Sequence, residues 1–307
     1  MKVNDDARRA RLVVQADRRL ERQMRGLGER RMVFFAGLPG TGKSLLVHQL
    51  AHLASGSGRR IHLLQWDVAR PAFEASPAGR RYPLANGVTH AVIRKAAGLW
   101  VRHAIHGWNE LHPEPEHLLV AETPLVGNRF VELAQRLDDR AEALLAAPSS
   151  RFVIAVPSAE VRRFLEAERQ RRAASPLHPR EREDAPPQLL RDLWHDLATL
   201  AARLGISTPA PAGAAEQGAD RADDAPVPYD PGVYRQVYER VLRRRHVDVV
   251  TLDTILPTQT LSVYDFAAAP PDLAPTEAEA LACIREVERR YPDPTVLEGE
   301  ISRWWEV

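Results

Sequence analysis

The chain has 307 residues, 44% of them hydrophobic, and a formal net charge of +1. That supplies apolar material for one large or two modest cores, while no run approaches the ~18 apolar residues of a membrane span and charged residues interrupt the N-terminus where a signal peptide needs an apolar stretch. A single cysteine, Cys283, excludes an intrachain disulfide framework and a cysteine zinc site, and the near-neutral charge gives no global pull toward nucleic acid or membrane, so a cytoplasmic protein is expected.

Residues 5–30 read as a charged helix, with Leu12, Ala16, Leu20, Met24 and Leu27 along one stripe. The stripe packs on the domain or on a protein partner, or else its arginines form a nucleic-acid arm. Arg31 to Ala36 is a short apolar run, a buried strand by its pattern, and a helix starts at Ser44 and stops at Ser55 and Gly56. Ile61 to Trp66 is a second strand, followed at once by Asp67, Arg70 and Pro71. Residues 87–108 have helical spacing. His117 to Ala121 is a third strand ending at Glu122, Thr123 and Pro124. The spacing predicts an amphipathic helix from Arg129 to Ala147, a fourth strand from Arg151 to Val156, and a charged helix from Ala159 to about Ala173. Helices over 187–204 and 231–245 flank an Ala/Pro/Gly-rich insertion at 206–231 that is poor in large apolar residues. Val247 to Leu252 is a fifth strand ending at Asp253.

Strands alternating with helices predict an α/β fold. The expected architecture is three-layer α/β/α around a five-stranded parallel sheet, with a helical insertion and a C-terminal helix. The expected organisation is an N-terminal charged helix (1–30), a nucleotide-binding core (31–205), a flexible linker (206–230), the last helix and strand of the core (231–270) and a C-terminal helical tail (271–307). Ligands of such sheets lie at the carboxyl ends of the strands, where Asp67, Glu122, Pro157 and Asp253 all fall.

One motif carries specific chemistry. Gly37, Leu38, Pro39, Gly40, Thr41, Gly42, Lys43 and Ser44 fit G-x-x-x-x-G-K-[ST], between a strand and a helix as the P-loop requires. Its glycines let backbone N–H groups face a phosphate chain, and the helix N-terminus, through Leu45, adds partial positive charge. In that role Lys43 reaches the β- and γ-phosphates and Ser44 holds Mg²⁺. The chain has only three lysines, Lys2, Lys43 and Lys95.

The order of elements resembles the P-loop kinases of small molecules: nucleoside monophosphate kinases, gluconate and shikimate kinases, adenylylsulfate kinase and the zeta-toxin group. The resemblance covers roughly 31–205 and 231–270. It rests on Gly37 to Ser44, on Asp67 and Arg70 after the second strand, on Leu118 to Thr123 with Glu122 at the acidic Walker B position, and on Arg162, Arg163, Arg169, Arg171 and Arg172 after the fourth strand. It implies ATP and Mg²⁺ as cofactors and transfer of the γ-phosphate to a small-molecule acceptor. Asp67 then serves as base or Mg²⁺ contact, or merely caps a turn. Arg70 binds the acceptor or stays on the surface, and Arg129 reaches the substrate or simply starts the helix that follows. Glu122 and Ser44 orient the metal.

Residues 162–182 hold seven arginines against three acids. Arg169 and Arg172 share one helix face and form either a lid over the transferring phosphate or a solvated charge face. Aromatics in Leu261 to Phe266 stack on a base or pack a loop. Trp304 and Trp305 are expected packing anchors. His48 with His52, and His103 with His106, read as ordinary helix faces. Two other functions remain open: a regulatory ATPase switch contacting a protein through residues 1–30 or the acidic stretch 272–300, and a polynucleotide or RNA-directed kinase.

Overall fold

The computed structural model describes residues 12–85, 87–206, 227–266 and 272–307, apart from the side chain of Glu183. Most of the predicted 206–231 insertion and the start of the predicted N-terminal helix lie outside the described residues. The fold is α/β. Five strands form one all-parallel sheet in the order β2-β3-β1-β4-β5: β1 (Met32–Ala36), β2 (Arg60–Gln65), β3 (His117–Thr123), β4 (Ser150–Pro157) and β5 (Val247–Leu252).

β1 is central, and all five of its residues are buried. Its side chains alternate between the two faces, as strand geometry demands. Val33 and Phe35 pack with α1 (Arg18–Gly28) and α2 (Lys43–Gly56). Met32, Phe34 and Ala36 pack on the other side. That side is covered by α3 (Trp66–Ala75), α4 (Ala91–Leu111), α7 (Pro187–Arg203), α8 (Pro231–Val241), α9 (Glu277–Arg290) and α10 (Pro294–Ser302). Such double coverage is what lets parallel strands be apolar on both faces. α5 (Glu142–Leu145) is a single turn, and α6 (Ala159–Ala174) follows β4.

The N-terminal stretch is not one helix. Asp17 accepts hydrogen bonds from the amides of Arg19 and Leu20 and starts α1 afresh, after a 3₁₀ turn at Val13–Ala16. A side chain that caps these amides breaks the preceding helical path. Leu20, Met24 and Leu27 are buried against α2, so the apolar stripe is used internally. The C-terminal helices also pack inward. Ile284 and Val287 of α9, Ile301 of α10 and Trp304 join the core against α4 and α8. The Lys95 ammonium of α4 bridges buried Glu132 at 2.9 Å and Glu300 of α10 at 2.5 Å.

The predicted helix from Arg129 to Ala147 is absent. The segment holds only a 3₁₀ turn at Val131–Leu133 and α5. Its carbonyls bond to arginines from elsewhere: Arg102 donates to the oxygens of Glu132 (2.7 Å) and Gln135 (3.1 Å), and Arg245 to those of Leu133 (2.8 Å) and Gln135. Asp139 pairs with Arg102, and Glu142 completes the network by pairing with both arginines. These bonds replace the i to i+4 ladder that a helix needs. Conversely α3 occupies Asp67 to Pro71, where the sequence reading assigns no element. Among the described residues no helix is long and apolar enough to cross a membrane.

Candidate functional site

β1 delivers the chain to the carboxyl end of the sheet, and the loop Gly37 to Gly42 turns it into α2. Gly42 is the N-cap of α2 in a left-handed conformation (φ 84°) and offers no side chain to the first amides. A side chain there would be strained. The first turn of α2 therefore presents open N–H donors and the positive end of the helix dipole.

The loop is pinned from three directions. The Leu38 amide donates to the Tyr234 hydroxyl at 3.2 Å, and Thr41 Oγ1 donates to the Leu38 carbonyl at 2.9 Å. Arg162, only 1% exposed, donates Nη1 to the carbonyls of Pro39 (3.1 Å) and Gly40 (3.0 Å), Nη2 to that of Leu190 on α7, and Nε to Glu166. Lys43 is folded into the loop, with Nζ donating to the Leu38 carbonyl at 2.8 Å.

Register places Glu122 of β3 beside Phe35 of β1 and Gln65 of β2. Its Oε1 accepts from Ser44 Oγ at 3.2 Å and lies 3.6 Å from Lys43 Nζ. Burial pulls the Lys43 ammonium below its usual pKa, opposed by the charges of Glu122 and Asp67. Burial raises the Glu122 carboxyl, opposed by Lys43 and reinforced by Asp67. Two oxygens on adjacent corners of a Mg²⁺ octahedron lie about 3.0 Å apart, given bonds near 2.1 Å. The Ser44–Glu122 spacing fits that donor set.

Comparison with protein-family models, curated proteins and solved structures gives no match. The site therefore speaks through its own geometry.

Facing the loop, Asp67 sits exposed in the first turn of α3. Pro71 lacks the amide that would bond the Asp67 carbonyl four residues back. Asp67 favours the charge of Arg129, against burial and against neighbouring Arg70. Arg70 pairs with Glu74 at 3.5 Å. Arg129 comes from a tight loop in which Leu125, Asn128 and Phe130 all have φ near +60°. Such residues cost on the order of 1–3 kcal/mol each and persist only where surroundings enforce them. Here Tyr238 donates to the Pro124 carbonyl, Leu125 and Arg129 bond each other's backbones, and Arg94 of α4 donates to the Gly127 carbonyl at 2.8 Å.

The structure thus brings Lys43, Ser44, Asp67, Arg70, Glu122 and Arg129 together. It does not bring Arg169 and Arg172 to the loop. They lie about 10 and 15 Å beyond Arg162 along α6, at 1.5 Å per residue. Arg169 pairs with Asp184. Arg172 pairs with Glu168 and Glu181 and donates to the carbonyls of Thr258, Gln259 and Leu261. Both are occupied in holding the 179–184 turn and the 258–261 loop. Phe266 is buried against α2, and Tyr264 donates to Asp184 at 2.7 Å. Sequence reasoning missed Arg94 and Tyr234, and it counted Arg162 within a run without singling it out. A buried arginine at the first turn after β4 gives no local signal that distinguishes it from its neighbours.

Proposed function

We propose that this chain is a P-loop phosphotransferase of the small-molecule kinase type, with ATP as donor, Mg²⁺ as cofactor and a cytoplasmic setting. The observation that carries the reading is the division of the site. Phosphate- and cation-binding groups (Lys43, Ser44, Glu122 and the open amides of α2) stand on one side. Asp67, Arg70 and Arg129 stand on the other. The central position of β1, with Glu122 on the strand beside it, supports the finer reading of the fold.

Phosphoryl transfer is chiefly positioning and charge neutralisation. Lys43 leaves the Leu38 carbonyl for the phosphate chain, exchanging a neutral acceptor for a charged one. Ser44 and Glu122 would hold Mg²⁺, which supplies neutralisation of the phosphate oxygens. Asp67, exposed in the first turn of α3, takes the proton of an acceptor hydroxyl or orients it. Arg129 and Arg70 bind an anionic group of the acceptor, with guanidinium forks matched to carboxylate or phosphate. Arg162 and Tyr234 hold the loop in shape.

The test is turnover with ATP and Mg²⁺ across nucleosides, nucleotides, sugars, nucleotide-sugars and short RNAs, read as ADP release and acceptor mass. A gain of one phosphate on one small-molecule class supports the proposal. Tight ATP binding with no acceptor modified replaces it with a switch, and phosphorylated RNA with a polynucleotide kinase.

A further inference from the structure

At the opposite end of the sheet from the loop, three imidazoles meet. His62 lies on β2, His117 opens β3, and His112 follows the last turn of α4. His62 is in register with Leu119, two residues beyond His117, so both side chains share the face of the sheet that α4 covers. His62 Nε2 and His117 Nδ1 are 2.8 Å apart. The ring of His112 sits 4.3 Å from that of His62 and 4.5 Å from that of His117. One ligating nitrogen from each histidine lies within 4.8 Å of the other two.

The surroundings are prearranged. Arg31 lies over the Trp108 ring at 4.3 Å and donates to the carbonyls of His112, Glu114 (2.9 Å) and His117 (2.9 Å). Arg59 donates to the carbonyls of Glu116 (3.0 Å) and His117 (3.0 Å). The short turn bearing two of the imidazoles is therefore held by backbone contacts and costs little to order. Glu114 Oε2 stands 3.6 Å from Nε2 of His117, the nitrogen turned away from His62. A carboxylate behind a ligating imidazole is the usual second support of a metal-bound histidine. His62 and His117 are buried, while His112 is partly exposed and leaves a route to solvent.

We propose that His62, His112 and His117 form a binding site for a borderline transition-metal dication, Zn²⁺ first, with a fourth position open to water beside His112. Tetrahedral zinc with bonds of about 2.0–2.1 Å sets its nitrogens about 3.3 Å apart, so closing the triad takes ring shifts on the order of 1 Å. An all-imidazole set selects zinc over Mg²⁺, which prefers oxygen. The site is thus chemically distinct from Ser44 and Glu122. It lies roughly 16 Å from Glu122, five strand residues away at about 3.3 Å each. Its metal ties the end of α4 to β2 and β3.

The test uses tag-free full-length protein, stripped with chelator and titrated with ZnCl₂ by calorimetry, then with Co²⁺ by visible absorption. Wild type takes one Zn²⁺ per chain, unaffected by excess Mg²⁺, and Co²⁺ gives a tetrahedral absorption band. His112→Ala, at a partly exposed position, keeps the metal-free melting curve and weakens binding at least tenfold. Glu114→Gln, which removes no ligand, weakens it about tenfold. His103→Ala, an exposed histidine elsewhere on α4, binds as wild type. Absence of stoichiometric binding in wild type, or unchanged binding in both His112→Ala and Glu114→Gln, overturns the proposal.

Discussion

Gly37→Ala puts a number on how tightly the loop is seated. A Cβ at Gly37 would lie 2.2 Å from the Tyr234 hydroxyl oxygen. That is about 1 Å inside van der Waals contact. Tyr234 is fully buried between Tyr229 and Tyr238 and has no room to withdraw. Overpacking of this kind costs about 1–3 kcal/mol. The backbone at φ 148°, rarely adopted by residues with a Cβ, adds about 1–3 kcal/mol. Together the substitution destabilises by about 2–6 kcal/mol. Tyr234→Phe alone leaves the Leu38 amide without its acceptor and costs about 1–3 kcal/mol. In the double variant the nearest ring carbon, Cζ, stands 3.5 Å from the new Cβ, an ordinary contact. The double variant should therefore be more stable than the sum of the singles by about 1–3 kcal/mol, the steric part. The assay is denaturant unfolding of all four proteins with a common m-value. Gly26→Ala is the control: nothing lies within 4 Å of its Cβ, and in the last turn of α1 it should stabilise by up to about 0.5–1 kcal/mol. Additivity of the two loop substitutions within about 0.5 kcal/mol would refute the reasoning.

Lys43→Ala should abolish phosphoryl transfer while the far-ultraviolet circular dichroism stays native, at a stability cost of about 1–3 kcal/mol; retained turnover would remove the lysine from the mechanism. Arg162→Met keeps the apolar stem but removes the contacts to Pro39, Gly40, Leu190 and Glu166, and should cost about 2–4 kcal/mol; an unchanged urea midpoint would show the clamp to be idle. His48 is pushed down to about 4 by burial, with His52 and Arg180 adding to it. The unfolded chain therefore takes up a proton near pH 6.5 that the folded chain refuses, so stability is full above pH 6.5 and falls as pH drops toward 4, by about 3 kcal/mol at 1.36 kcal/mol per unit. Urea midpoints across that window should slope less in His48→Gln than in wild type, and equal slopes would contradict the burial argument.

The strands were legible as short runs rich in apolar residues, closed by a charge, a proline or the glycine loop, as with Met32 to Ala36 before Gly37 and Val153 to Val156 before Pro157. The helix after β4 was equally plain, and Ser158 accepts from the Val161 amide of its first turn. The 129–147 segment misled because its apolar spacing is helical while its carbonyls are claimed by Arg102 and Arg245, distant in sequence. α3 was hidden by Pro71, which local rules read as a helix stop. Within the site, Gly37 to Ser44 announced itself, and Asp67 and Glu122 followed from their places at strand ends. Arg162, Tyr234 and the His62–His112–His117 cluster depend on contacts between remote elements, and no spacing in the chain encodes them.

The central place of β1 also bears on how the protein is made. Val33 pairs with Val120 on one side and with Arg151 on the other. A ribosome releases about 5–20 residues per second, so the strand waits roughly ten seconds for its second neighbour. Throughout that interval Met32 to Ala36 is an uncharged, sticky ribbon with an open edge, the kind of segment that recruits other nascent chains. Synthesis rate and chaperone supply should therefore govern the yield of this protein more than the final stability of its fold does, and slowing translation after Pro157 should do less harm than slowing it before Ser150.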